Sequence, residues 1–271
     1  MDAAGNLYIA DSGNGLIRMI GVEKYTGPVQ PKPTSVMNAA DYSPKVAPAT
    51  WITVKGTNLS STTRQWSDAD FIDGKLPVQL DGVRVFVDGM PAYVSYISPT
   101  QINALVGASD MQGGPQVPVE VLTTQGRGDP VPAPGDARYA PALFRYDAEG
   151  GKYVVANAPD GTLIGKAGLV PGLATRPARP GELLSAYGTG FGATNPPIAP
   201  GTAAFTPASL AGSAYLQTDD GSIIRPIYAG QIGPGLYQLV FQVPAVPDGD
   251  YRFSPWVGSN SGSAVWITIG H

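Results

Sequence analysis

Acidic residues set the widest range of chemistry open to this chain. Asp68, Asp70 and Asp73 precede Gly74. Carboxylate oxygens at close spacing, followed by glycine, are the raw material of a calcium loop. The pattern Asp-x-Asp-x-x-Asp-Gly is one residue off the usual loop, and no glutamate closes it at the expected distance. A solvated polar loop with a helical turn competes with the calcium reading. Glu120, Glu149 and Glu182 raise a second possibility, because paired carboxylates hydrolyse glycosides: one protonates the leaving oxygen and the other attacks or activates water. These glutamates stand isolated among strands and turns, and Asp219-Asp220 and Asp248-Gly249-Asp250 read first as turn signals.

Nucleophilic catalysis has less to work with. Cysteine is absent, and His271 is the single histidine and the final residue of the sequence. A Ser-His-Asp hydrolase needs a histidine held between nucleophile and acid, and no Gly-x-Ser-x-Gly elbow is present. Lys55, Lys75, Lys152 and Lys166 lie in polar or turn-rich stretches that would not desolvate an amine. Histidine-based zinc or copper sites fall with the same shortage. Aromatic residues offer non-covalent chemistry instead, since sugars stack on ring faces. Tyr93, Tyr96, Tyr228 and Trp266 alternate with other residues in strand-like segments and are expected in the core. Trp66 and Trp256 sit in polar or turn-rich stretches and are the candidate ligand-binding residues.

Side chains of this kind need elements to hold them. Glycine and proline together make up 35 + 27 = 62 of 271 residues, yet 43% of residues are hydrophobic and only 14% are charged. A disordered chain would show the opposite balance, so these residues punctuate many short folded strands. No segment carries sustained helical periodicity, and the expected class is all-β. The net charge is −4 with no cluster of Lys and Arg, which argues against nucleic acid and against anionic membrane surfaces. No apolar run reaches the roughly 20 residues of a membrane helix.

One segment occurs twice. Residues 48–59 begin with proline and end in a Gly-Thr turn, and residues 180–191 do the same. Pro48 matches Pro180 (180 − 48 = 132) and Gly56 matches Gly188 (188 − 56 = 132). Asp88-Gly89 recurs as Asp220-Gly221 (221 − 89 = 132). Each copy reads as a strand opened by a proline that cannot donate to a ladder and closed at a glycine suited to positive φ or a close backbone approach. The organisation expected is a hairpin at 1–24, a linker at 25–34, a first sandwich at 35–128, a proline-rich connection at 129–141 and a second sandwich at 142–271.

Residues 2–18, Asp-Ala-Ala-Gly-Asn-Leu-Tyr-Ile-Ala-Asp followed by a turn and Ile-Arg, resemble one NHL-type β-propeller repeat. The resemblance implies further blades in a longer parent chain, since a propeller closes only with several. Residues 1–6 have neither the basic start nor the apolar core of a signal peptide, so the expectation is a piece of a longer exported chain. Val36-Met37-Asn38-Ala39-Ala40, Lys55-Gly56-Thr57-Asn58-Leu59 and Ser98-Pro99-Thr100-Gln101-Ile102-Asn103 resemble the motif series of the Solibacter-type uncharacterised C-terminal domain. So do Ala178-Arg179-Pro180-Gly181-Glu182, Tyr187-Gly188-Thr189-Gly190 and Gly235-Leu236-Tyr237-Gln238. That family ends secreted proteins of soil bacteria and carries no assigned reaction; the segment 230–235 is shorter here than its usual loop. The Gly-Thr-Asn-Leu element is also similar to transcription-factor-type immunoglobulin-like sandwiches.

The expected architecture is therefore two tandem immunoglobulin-like β-sandwiches after a propeller-blade remnant. The expected function is a non-catalytic module of an exported or cell-surface protein, for adhesion, scaffolding or carbohydrate binding. Its partners would be polysaccharide or surface proteins, with calcium as an optional ion. A glycosidase using a carboxylate pair is the alternative. Two close carboxylates in a cleft would favour the enzyme; carboxylates confined to turns would favour the module.

Overall fold

A computed structural model describes residues 7–11, 16–20, 29–107, 114–147 and 149–271. The chain is all-β: apart from one short 3-10 turn at Asp68–Asp70, the described elements are strands. Leu7–Asp11 and Leu16–Ile20 form an antiparallel hairpin with Leu7 opposite Ile20 and Asp11 opposite Leu16. The remaining residues of the NHL-like motif, its turn, and 21–28 lie outside the described residues.

The first unit is two facing sheets. One has the order Lys32–Asn38, Trp51–Thr57, Gln101–Leu105, Tyr93–Ile97, Arg64–Gln65. The other centres on Gly114–Thr123, which pairs with Arg84–Val87, Gly126–Arg127 and Val131–Gly135; Arg84–Val87 also pairs with Met90–Pro91. Alternation drives the packing. In Arg84–Val87 the valines are buried while Arg84 and Phe86 are only partly so. Ile52, Val54, Val85, Ile102, Val119 and Val121 meet in one core, each contributing roughly 1.5–3 kcal/mol of burial.

The second unit repeats that plan. Leu183–Thr189, Leu236–Gln242 and Tyr228–Gly233 lie side by side in one sheet, as Trp51–Thr57, Gln101–Leu105 and Tyr93–Ile97 do. Opposite, Gly249–Val257 pairs with Ala214–Thr218, Asn260–Ser261 and Val265–Ile269, and Ala214–Thr218 pairs with Ile223–Ile224. The shared strand order is that of a tandem immunoglobulin-like repeat. A separate core of Leu184, Leu216, Leu239, Phe241, Phe253 and their neighbours fills this sandwich.

Gly56 and Gly188 do not have positive φ. Their reason is the other one expected of them. A Cβ on Gly56 would stand 2.2 Å from the carbonyl oxygen of Lys32, and one on Gly188 would stand 2.4 Å from that of Ala142. The edge strand crosses so close at this bend that only hydrogen fits.

Several strands differ from the sequence reading. Lys32–Asn38 begins inside the stretch read as a linker at 25–34, and Val131–Gly135 lies in the stretch read as a proline-rich connection. Lys32–Asn38 pairs along one side only, and Val131–Gly135 is bonded on its far side only at its end, where Gly135 bridges Val46; an edge strand tolerates prolines whose missing N–H faces outward. The segment 223–233 is divided between the two sheets. Ile223–Ile224 stays in one sheet and Tyr228–Gly233 crosses to the other, with Pro226 at the break.

The units are bonded to each other. Thr189 Oγ1 accepts from the Trp51 backbone N–H at 2.9 Å and donates to the Ala49 carbonyl at 3.2 Å. The Trp51 indole N–H donates to the Pro234 carbonyl at 2.9 Å. Lys75 bridges antiparallel to Thr202, flanked by Leu76 N–H to Gly201 O at 2.8 Å and Ala203 N–H to Gly74 O at 2.9 Å.

Candidate functional site: an aromatic sheet face and the placement of the acids

The acids expected to do chemistry are dispersed. Glu120 pairs with Arg127, and Glu182 with Arg176 at 2.9 Å. Glu149 is exposed on the turn made by Asp147. Asp250 accepts from Lys166 Nζ and Tyr153 Oη at 2.7 Å and from Thr268 Oγ1 at 2.8 Å. Asp219 pairs with Arg252, and Asp220 caps its own turn through the Ser222 N–H. Burial alone would raise the Glu182 carboxyl, but Arg176 and the Arg179 N–H outweigh it and hold the group below its ordinary range. Burial pushes Asp250 the same way and is likewise outweighed, here by Lys166, Tyr153 and Thr268. These are ionised, cation-bound groups rather than proton donors.

Asp68, Asp70 and Asp73 do not converge. Asp70 takes the Arg64 guanidinium at 2.8 and 2.9 Å and the Ser67 N–H at 2.8 Å. Arg64 holds it well below the carboxylate range, and also bonds Asp81 at 2.9 Å. The one aspartate of the three that is partly buried is thus already paired with a guanidinium. Asp68 and Asp73 are exposed on either side. Among the described residues no group of three or more His, Cys, Asp or Glu gathers where it could hold a metal ion. His271 does find a partner, since its ring bonds Asp248, with both side chains largely exposed. No serine or threonine hydroxyl among the described residues bonds that ring, so no nucleophile is positioned there.

The aromatic candidates part company. Trp66 packs against the first core, edge-on to Trp51 (5.7 Å, 73°) and tilted against Phe71 (5.4 Å). Trp256 lies in the strand Gly249–Val257 rather than a turn, directly opposite Tyr215. The two rings are nearly parallel, 5.9 Å apart and 5° between planes. Phe253, Pro255 and Val257 point inward from the same strand, which leaves Arg252, Ser254 and Trp256 on the outer face. Gln217 sits opposite Ser254, and Ser261 opposite Trp256. The result is a stacked aromatic pair fringed by amide, hydroxyl and guanidinium groups. The Trp256 Nε1 is buried and has no acceptor, an arrangement that costs about 1–3 kcal/mol.

Tyr93, Tyr96, Tyr228 and Trp266, expected in the core, are all partly exposed. Around Tyr93, Tyr96 and Trp266 the aliphatic neighbours Val94, Ile97, Val265 and Ile267 take the inner face, and the aromatic ring is left outside. Lys152 Nζ lies 4.4 Å from the Trp266 ring centroid, a cation–π contact on the outer face. Tyr215 escaped the sequence reading altogether; its signal was the Ala-Tyr-Leu-Gln alternation, in which Leu216 is the inward residue.

A cleft of about 520 Å³ opens where the two units meet. Among the described residues no aspartate or glutamate lines it. No described helix is long and apolar enough to cross a membrane.

Comparisons with known proteins add the following. Solved structures to which this chain is similar include one determined with xylogluco-oligosaccharide, 14% identical over 88% of this chain and 41% of that chain, with TM-score 0.27. A surface glycan-binding protein from Prevotella bryantii is 12% identical over 88% of this chain and 42% of its own, with TM-score 0.26. An auxiliary nutrient binding protein from Bacteroides ovatus is 11% identical over 73% of this chain and 43% of its own, with TM-score 0.26. This chain spans less than half the length of each. No curated protein matches. Residues 40–139, most of the first sandwich, match the family model of the immunoglobulin-like IPT/TIG domain.

Proposed function

We propose that the chain is a non-catalytic, carbohydrate-binding module of an exported or cell-surface protein, made of sandwiches at 35–128 and 142–271. The observation that carries this reading is a division of labour among side chains. Glu120, Glu182 and Asp250 are neutralised by neighbouring cations, while Tyr215 and Trp256 present parallel rings on an outer sheet face. Ring faces bind the apolar faces of sugars without needing an acid or base. The resemblance of 2–18 to an NHL-type repeat, and of 35–269 to a Solibacter-type C-terminal domain, fits a module at the end of such a parent chain. Trp66 would serve as a minor contact, since its ring already packs against Trp51 and Phe71.

The test is affinity electrophoresis of the whole chain in gels containing β-glucan, xylan or pectin. Retardation by at least one polymer, lost in Trp256→Ala and in Tyr215→Ala but kept in Trp66→Phe, is the expected result. Release of reducing ends from the same polymers, abolished by Glu120→Gln, Glu149→Gln or Glu182→Gln, would replace the module with a glycosidase. No retardation by any polymer would remove carbohydrate as the ligand.

A further inference from the structure

The cleft at the junction is a different environment from the Tyr215–Trp256 face. Its volume of about 520 Å³ falls within the range of small-molecule sites. The first unit supplies one wall through Tyr93 and Leu105, the connection supplies Arg138 and Tyr139, and the segment 192–202 of the second unit supplies the facing wall. Two of the rings are seated on glycines. A Cβ on Gly201 would lie 2.3 Å from the Tyr93 ring, and one on Gly192 would lie 2.5 Å from the Tyr139 ring. The walls are therefore fixed by close packing rather than by loose side chains.

The polar groups of the cleft divide into spent and unspent. Tyr237 Oη donates to Gly192 O at 2.6 Å, and Thr194 Oγ1 donates to Pro196 O at 2.9 Å. Gln231 is 8% exposed and lines the cleft. Its Nε2 donates to Gly233 O at 3.2 Å, while its Oε1 has no partner among the described residues. The hydroxyls of Tyr93 and Tyr139 have none either. Arg138 is exposed at the rim, and its guanidinium meets no carboxylate among the described residues; nearby Asp136 is engaged with the backbone N–H groups of Arg138 and Tyr139. Lys75 adds a second cation at the edge, its Nζ 3.5 Å from Thr202 Oγ1.

Strain sits at the same place. Ala49, which lines the cleft, has φ 56°, a conformation that costs a non-glycine residue about 1–2 kcal/mol. Its counterpart is Gly181 (181 − 49 = 132), with φ 80°. The copy facing the cleft keeps a side chain where the other copy uses glycine, and Thr189 holds its carbonyl. Backbone strain over-determined by its surroundings is concentrated at binding sites.

We propose that this cleft binds a small aromatic carboxylate. The proline- and aliphatic-lined walls and the two seated tyrosine rings accept a flat apolar ring. The free tyrosine hydroxyls and the Gln231 amide oxygen meet its ring substituents. Arg138, with Lys75 nearby, meets the carboxylate in a mouth with no acid among the described lining residues. A sugar fits poorly, because so few unspent hydrogen-bonding side chains could replace its water.

The experiment is calorimetric titration of the whole chain with 4-hydroxycinnamate, its methyl ester, hexanoate and cellohexaose. The acid is expected to bind at least tenfold more tightly than its ester or hexanoate. Arg138→Gln should weaken the acid about tenfold and leave the ester unchanged. Ala199→Trp, placed on an exposed stretch of the wall, should abolish binding of both at an unaltered melting temperature. Equal affinity for acid and ester, tighter binding of cellohexaose in the cleft, insensitivity to both variants, or no binding of the acid at millimolar concentration would each overturn the proposal. Polysaccharide retention lost in Trp256→Ala but kept in Ala199→Trp separates this site from the sheet face.

Discussion

The two sandwiches share a strand order and differ in what their shared corners touch. Left-handed backbone recurs at the same offset: Ala49 and Gly181, Asn58 and Gly190, Gly89 and Gly221 all have positive φ, with 190 − 58 = 132. At the first corner Asn58 is exposed. At the second, a Cβ on Gly190 would lie 2.1 Å from the Ala140 carbonyl, because the connection between the units lies against it. The turns differ too. Asp88-Gly89 joins Val87 to Met90 as a two-residue loop with both φ values positive, the mark of a type I′ turn. Asp219-Asp220-Gly221 is a three-residue loop closed by Thr218 and Ser222, with only the glycine positive. A repeat thus preserves backbone conformation more strictly than residue type, and the residue is then set by what stands next to it.

Substitutions at matched positions sharpen this. Gly56→Val and Gly188→Val should each lower stability by more than about 2 kcal/mol in denaturant unfolding, since their Cβ atoms would overlap backbone oxygens rather than movable side chains. Either variant falling within about 0.5 kcal/mol of the parent would break the equivalence. Next, Gly190→Asn should cost more than about 2 kcal/mol, whereas Asn58→Gly should stay within about 0.5 kcal/mol. Equal costs would mean that the junction does not distinguish the corners. Smaller again, Gly181→Ala should lose about 1 kcal/mol and Ala49→Gly should gain up to about 1 kcal/mol, as strain is introduced in one copy and relieved in the other. A destabilised Ala49→Gly would show that the methyl group packs more than it strains.

The smallest expected effect is on pH dependence. Arg64 depresses Asp70 in the first unit, and Arg176 helps to depress Glu182 in the second. A carboxylate whose folded pKa lies below its unfolded value stabilises the fold above about pH 4 and loses that contribution as pH falls through the folded value. Unfolding midpoints should drop below about pH 4, and Arg64→Gln and Arg176→Gln should each flatten that slope. An unchanged slope in both would assign the acid sensitivity to other carboxylates.

Much of this was legible from residue order. The all-β class, the Gly-Thr strand ends and the Asp-Gly turns follow from alternation and turn chemistry, which are local. Lys32–Asn38 was illegible because prolines at its start mimic a linker, and only its edge position makes them tolerable. The Tyr215–Trp256 pair needed a cross-strand register that sequence spacing does not supply. The junction cleft was further out of reach, since its walls come from residues as distant as Ala49 and Gly235. The engagement of Asp70 by Arg64 was hidden for the opposite reason: the motif drew attention to the aspartates and away from the basic residue six positions earlier.

The splice at Lys75 and Thr202 has a practical corollary. There the halves satisfy each other's main-chain groups, as neighbouring strands do within one sheet. Cutting the chain in the proline-rich connection would leave two fragments, each with bare backbone donors and acceptors along a short rim. Such rims recruit other chains. The tandem is therefore the unit to produce, crystallise or graft, and a lone half would be prone to self-association and precipitation.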